Sequence, residues 1–244
     1  MTALKTPWIV LCVATLAVAQ LAAQPAPPQA AGPQAVPEAV SSPISQAETL
    51  LFVRDDLRSL PDGCVLHYLF SHRAAGEPPT TDRIEVTVSG APGSAARKLS
   101  THCFSGERAV DFESVGGADG NPALVCFLEH DVRLTRALVQ RGTPNYFRQR
   151  VRLALAERAD IKPIKAKFGG KLVPAEEIRI TPFVDDPHRA EFERYASKSY
   201  VFRVSQHVPG GLLEVHTAID DPARPGGASL LEESVRLLKV VRVP

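Results

Sequence analysis

Two helical stretches lie back to back over residues 122–158, with one run of short strands before them and another after. That order argues against a doubly wound parallel fold, in which strands and helices alternate. The strands are read from period-two patterning. In DRIEVTVSG, Ile84, Val86 and Val88 share one face while Glu85, Thr87 and Ser89 share the other, as in a strand with one buried side. CVLHYLFSH at 64–72 is short, aromatic and branched, and RKLSTHCF and ERAVDFES follow on either side of Ser105 and Gly106. After the helices, PIKAKFGG, EEIRITPFV, SYVFRVSQ and GLLEVHTAI resume the pattern, parted by DDPHR, VPGG and DDPARPGG. In the last stretch, SVRLLKVVRV reads as a strand, but Leu231, Val235 and Leu238 also have helical spacing, so both readings stand. The expected fold class is α+β: a curved antiparallel sheet of about eight strands with two or three helices packed on it. A sheet of that width curls, and helices across its mouth would enclose an apolar cleft.

The helices announce themselves by their caps. Ser45 and Glu48 have capping-box spacing, and Leu50, Val53, Leu57 and Leu60 recur at helical intervals, predicting a first helix over 46–59. Asn121 with Pro122 and Thr143 with Pro144 are two further starts, since the polar side chain caps free amides and proline suits the first helical position. The second helix is expected to run to about Gln140, before Gly142. In the third, Phe147, Val151 and Leu155 fall at four-residue intervals and mark its buried stripe.

The N-terminal residues predict export. Lys5 precedes an uncharged apolar run from Trp8 to Ala19, and small residues at Ala17 and Ala19 flank Val18 as at a signal-peptidase site. The run is too short for a spanning helix, which needs roughly 20 apolar residues. Cleavage is expected after Ala19 or Ala23. Cys12 lies inside the run behind the large Leu11, which argues against lipidation. Residues 24–44, rich in Pro, Ala and Gln, have too little bulky apolar surface to offset the entropy of ordering. The reading is therefore a signal peptide over 1–23, a disordered tether over 24–44 and a single α+β domain over 45–244, working in the periplasm or, alternatively, secreted. Cys64, Cys103 and Cys126 remain after export. Their apolar surroundings favour buried inert thiols, with one bridge as the alternative that an oxidising compartment permits.

Charge is distributed unevenly. From Arg133 to Lys171 there are eleven basic residues and two acids, Glu157 and Asp160, a local charge of +9 in a chain whose total is +1. Arg148 and Arg152 lie one helical turn apart on one side, Arg150 points elsewhere, and Lys165 and Lys167 alternate with Ile164, Ala166 and Phe168 on a strand. Two readings follow. The residues form a solvated face paired with the acids of AEEI, DDPHRAEFE and LLEE, or Arg148, Arg150, Arg152, Lys165 and Lys167 form an anion site, because arginine forks grip carboxylates and phosphates at two points. The partners expected for such a site are an anionic lipid, a glycan or an acidic protein of the envelope, with peripheral membrane contact allowed. Nucleic acid is not expected in an exported chain without an aromatic and basic sheet motif.

Catalytic and metal motifs are sparse. The seven histidines form no close ligand pair, so no metal or cofactor is expected, and His67 and His72, five apart on a strand, point to opposite faces. His130 and Cys126 are four apart on a helix, which permits a cysteine–histidine pair in principle. GGADG lacks the lysine and serine of a phosphate loop, and GxSxG does not occur. The paired acids 176/177, 185/186, 220/221 and 232/233 are expected to be solvated turn residues.

The segments PNYFRQRVRLAL, RITPFVDDPHRAEFE, SYVFRVSQHVPGG and LLEESVRL resemble an uncharacterised family of exported proteobacterial proteins, a resemblance that supplies no activity. In outline, the helix-first curled sheet is similar to the periplasmic lipoprotein-carrier fold, an analogy of architecture that carries no binding residue across. The leading expectation is a non-enzymatic periplasmic protein that binds an anionic or amphipathic envelope ligand. The alternatives are a protein-interaction module of an envelope assembly, and an enzyme whose mark would be a pocket with a histidine at hydrogen-bond distance from an acid or cysteine.

Overall fold

The computed structural model describes residues 43–94, 97–115, 120–221, 223, 224 and 226–242, so the expected signal peptide over 1–23 and all but the end of the expected tether over 24–44 lie outside the described residues. Alternating strands of this chain have one apolar face each, and among the described residues nine of them bury it by pairing into a single open antiparallel sheet. The strands are β1 (Cys64–Ala74), β2 (Thr80–Ser89), β3 (Lys98–Cys103), β4 (Val110–Val115), β5 (Asp160–Phe168), β6 (Lys171–Ile180), β7 (Ser199–Val204), β8 (Leu212–Ile219) and β9 (Leu231–Arg242). Their order is β4-β3-β2-β1-β9-β8-β7-β6-β5. Two four-stranded meanders are therefore joined by the last strand, which slots between β1 and β8.

That placement settles the final segment. As a strand, β9 buries Leu231, Glu233, Val235 and Leu237 and leaves Leu238 half exposed, whereas a helix would have buried Leu238. Two open strand edges gain ladder hydrogen bonds from one segment, and this outweighs its helical spacing.

Among the described residues four α-helices accompany the sheet: α1 (Gln46–Glu48), α2 (Pro122–Val139), α3 (Pro144–Arg158) and α4 (Arg189–Phe192). The expected starts hold. Ser45 and Glu48 close a capping box, Asn121 Oδ1 accepts from Ala123 N at 3.0 Å, and Thr143 Oγ1 accepts from Tyr146 N at 3.2 Å. The first helix is much shorter than its leucine spacing predicts. It passes into a π-helical turn over Thr49–Val53 and ends at Arg54, whose Nε donates to Asp56 Oδ2 at 2.6 Å. Aspartate competes for local hydrogen bonds and favours turns over helix interiors. Leu57 and Leu60 are buried all the same, while Val53 stays half exposed. Gly120 lies tight against this turn: its φ is +74°, and an added Cβ would strike the Leu51 carbonyl. The short α4 was not foreseen, and neither was the aromatic cluster of Phe147, Phe183 and Phe192, with ring centroids 5.8 to 5.9 Å apart.

Helices and sheet share one apolar core among the described residues, to which Leu66, Phe70, Ile84, Val86, Phe127, Phe147, Ile178, Phe202 and Val235 contribute. A disulfide between Cys103 of β3 and Cys126 of α2 ties helix to sheet, and Cys64 is free and buried. Three inert thiols were the favoured expectation. The bridge forms because α2 crosses β3 closely enough to bring the two Cα atoms within 6.0 Å.

Candidate functional site

α3 buries Phe147, Val151, Ala154 and Leu155, which turns Arg148 and Arg152 outward. α1 lies against it, with Ser45 Oγ donating to the Leu155 carbonyl at 3.2 Å. Between α1, its π-helical turn, α2 and α3 runs an open groove of about 470 Å³. Phe52, Val53, Val125, Leu128, Val132, Val151 and Leu155 supply its apolar surface, with Ile44 at one end. Its rim carries Glu48, Glu129, Arg148 and Arg152. The volume and apolar lining with few polar groups are those of a small-molecule cleft. It lies on the outer side of the helices, whereas the sequence led us to expect a cleft beneath them. The space between helices and sheet is filled by core side chains.

The five predicted anion contacts divide. Arg148 forks Glu129, with Nε to Oε1 at 2.6 Å and Nη2 to Oε2 at 2.7 Å. These hydrogen bonds hold the Glu129 carboxyl below its ordinary pKa. Arg152 is 83% exposed and only loosely paired, 3.9 Å from Glu48. Both line the groove. Arg150 instead turns inward to Asp186, whose side chain is fully buried. Their closest atoms, Nε and Oδ2, stand 2.6 Å apart but off the hydrogen-bonding line, so this is an ion pair rather than a directed hydrogen bond. Asp186 also accepts from the Tyr146 hydroxyl at 2.6 Å, and burial together with that bond pushes the Tyr146 pKa up to about 12. Lys165 and Lys167 are exposed on the edge strand β5, opposite Pro174 and Leu172, and do not line the groove. Elsewhere in the basic segment, Arg141 pairs with Glu191 and Arg158 with Asp185, as a solvated face would have it.

No family model and no curated protein matches the chain. Among solved structures it is similar to a LolA-superfamily protein from Nitrosomonas europaea, at 12% identity over 78% of this chain and 90% of that one, with a TM-score of 0.20. At that score the likeness carries no argument about the site.

A second set of polar residues lies under α2. His72, Glu233, Thr217 and Tyr200 stand side by side across β1, β9, β8 and β7, forming a polar row on the helix-covered face. Above it, α2 lowers His130, Asp131 and Thr135. Lys198 Nζ meets Asp131 Oδ1 at 2.5 Å and Thr135 Oγ1 at 2.9 Å, and the Tyr200 hydroxyl donates to Asp131 Oδ2 at 2.7 Å. Burial, then the Asp131 charge and this bond, raise the Tyr200 pKa. Glu233 Oε1 lies 2.8 Å from His72 Nδ1 and 3.0 Å from His130 Nε2. Burial pushes the Glu233 pKa up. The two histidines and the Lys198 charge more than offset that and hold it below the ordinary carboxylate value.

Several expectations change here. Acids 177, 186 and 233 are buried, not solvated: on β6 and β9 neighbouring residues face opposite ways, which turns Glu177 toward Arg179 and Arg203 and Glu233 toward His72 and His130, while Asp186 is held in a turn beneath Arg150 and the Tyr146 hydroxyl. The Cys126–His130 pair has no free thiol, since Cys126 is bridged. A histidine at hydrogen-bond distance from a carboxylate does occur, in His130 with Glu233. Its signal was Glu233 standing alone in the alternating row Leu231, Val235, Leu237, legible only once that segment is a strand. Among the described residues no group of three or more His, Cys, Asp or Glu is arranged to hold a metal ion, and no helix is long and apolar enough to cross a membrane.

Proposed function

We propose that this chain is a non-enzymatic binding protein for an anionic amphiphile of the cell envelope, acting in the periplasm after export. The observation that carries the reading is the groove between α1, α2 and α3, whose apolar surface ends at the two outward-turned arginines. The apolar body of the ligand lies along Val125, Leu128, Val151 and Leu155, and its anionic head meets Arg152, whose guanidinium is largely unengaged. Arg148 joins by exchanging its fork on Glu129 for the ligand. Arg150 keeps Asp186 in place and holds α3 to the 181–186 turn, so it supports the site without touching the ligand. A carboxylate, phosphate or sulfate head all satisfy this chemistry.

The test is mass spectrometry of material extracted from the protein purified natively out of the envelope, beside an R148Q/R152Q variant. The expected result is a co-purifying anionic amphiphile, depleted roughly tenfold or more in the variant, since each lost hydrogen bond to a charged group is worth about 1.5–3 kcal/mol. An empty wild-type protein, or equal loading of both, overturns the reading.

A further inference from the structure

A second groove, of about 550 Å³, runs along the other side of α2 and shares Val125 and Glu129 with the first. Phe104, Val110, Phe112, Leu134 and Ala137 form its apolar walls, and the Cys103–Cys126 bridge lies in its lining. Arg108, His130 and Arg133 reach it as well. His130 and Arg133 are three residues apart on α2 and therefore neighbours on one helix face.

The charges around His130 favour an anion beside it. Arg108 is paired with Asp82 at 2.7 Å and sits over the Phe104 and Phe70 rings. Glu129 is occupied by the Arg148 fork. Arg133 is exposed and makes no ion pair among the described residues, and Glu107 is the remaining acid on the rim. On the buried side, Lys198 is paired with Asp131 and its charge also reaches Glu233, whose carboxylate takes both His72 and His130. Because Glu233 is an acceptor, each histidine presents an N–H to it. The His130 ring thereby spends Nε2, and Nδ1 has no protein partner among the described residues. Neutral His130 offers a lone pair at Nδ1, while the imidazolium offers a second N–H and a positive charge. An anion held by Arg133 favours the imidazolium, which Glu233 stabilises from the other side.

We infer that this second groove is a separate binding site for an aromatic organic anion, held between Arg133 and His130, and that binding takes up a proton on His130. The rings of Phe104, Phe112 and His130 favour a flat apolar body, since aromatic pairs pack edge to face or offset. This site stands independently of the one beside α3.

The probe is 8-anilinonaphthalene-1-sulfonate, whose sulfonate stays ionised throughout, titrated by fluorescence from about pH 5.5 to about pH 8. Calorimetry in two buffers of different ionisation enthalpy counts protons. In the wild-type protein we expect affinity to fall as pH rises and uptake to approach one proton per ligand. H130Q keeps an amide donor for Glu233 but should flatten the pH profile and abolish uptake. R133Q should weaken binding roughly tenfold or more. H72Q and R152Q, the latter confined to the first groove, should keep both pH dependence and uptake. Uptake that survives H130Q, that disappears in H72Q or R152Q, or that is absent from the wild type overturns the inference. If H130Q does not fold, R133Q decides, since it alters an exposed and unpaired residue: unchanged affinity there also overturns it.

Discussion

Replacing Asp131 by asparagine would leave the Lys198 ammonium at 1% exposure without its counter-ion. Asp131 is equally buried and accepts from both Lys198 and the Tyr200 hydroxyl, so an amide that keeps its oxygen on Lys198 turns its N–H toward the Tyr200 hydroxyl, which must then accept instead of donate. Breaking one side of a buried pair costs about 3–5 kcal/mol. For a domain of this size each kcal/mol shifts Tm by roughly 2–4 °C, so D131N should melt about 6–20 °C below wild type. Removing both charges is different in kind. In D131L/K198M the desolvation penalty vanishes, and such replacements are often neutral or stabilising by about 1–4 kcal/mol. The hydroxyls of Tyr200 and Thr135 then lose partners, at about 1–3 kcal/mol each. At the middle of these ranges the double variant loses about 2 kcal/mol and D131N about 4, so the double variant should be the more stable of the two by about 2 kcal/mol. Urea unfolding followed by circular dichroism, with thermal melts alongside, measures both. A D131N cost below about 1 kcal/mol, or a double variant less stable than D131N, would refute the argument that this pair is dry.

Glu233 supplies a second test. Its folded pKa is depressed, so its contribution is present above the unfolded value near 4.5 and is lost as pH falls through the folded value. E233Q should flatten the acid limb of the stability–pH curve below about pH 4.5 and cost roughly 1–3 kcal/mol at neutral pH, and an unchanged acid limb would count against the network. The Cys103–Cys126 bridge closes a loop with a sequence separation of 23, for which loop-closure entropy predicts about 3 kcal/mol. A C103A/C126A variant should lose stability on that scale and no longer respond to reductant. A melting temperature equal to that of the oxidised wild type would contradict it.

Elements with a single dominant period were legible in the chain. Ile84, Val86 and Val88 marked β2, and the Asn121–Pro122 and Thr143–Pro144 pairs marked the starts of α2 and α3. The side of α3 that carries Arg148 and Arg152 followed from helical spacing. Where two patterns competed, local reading fell short. The leucines at 57 and 60 are buried from a turn, and β9 satisfies strand and helix spacing alike until its neighbours on both sides are known. The basic segment shows the same limit. Its excess charge is plain from composition, yet Arg150 is committed to Asp186 and Lys165 and Lys167 stay outside the groove, because a residue count carries no direction.

By itself, the amino-acid sequence determined the α+β class, the antiparallel strands and the helix starts, since alternation, caps and turn residues act between near neighbours. Only the tertiary structure decided which polar groups meet. Asp131 and Lys198 are 67 residues apart, and His130 and Glu233 are 103 apart. Both meetings depend on β9 entering between β1 and β8 and on α2 crossing above that row. No local period encodes such a choice, because it is made by the free energy of pairing whole strands and burying whole faces.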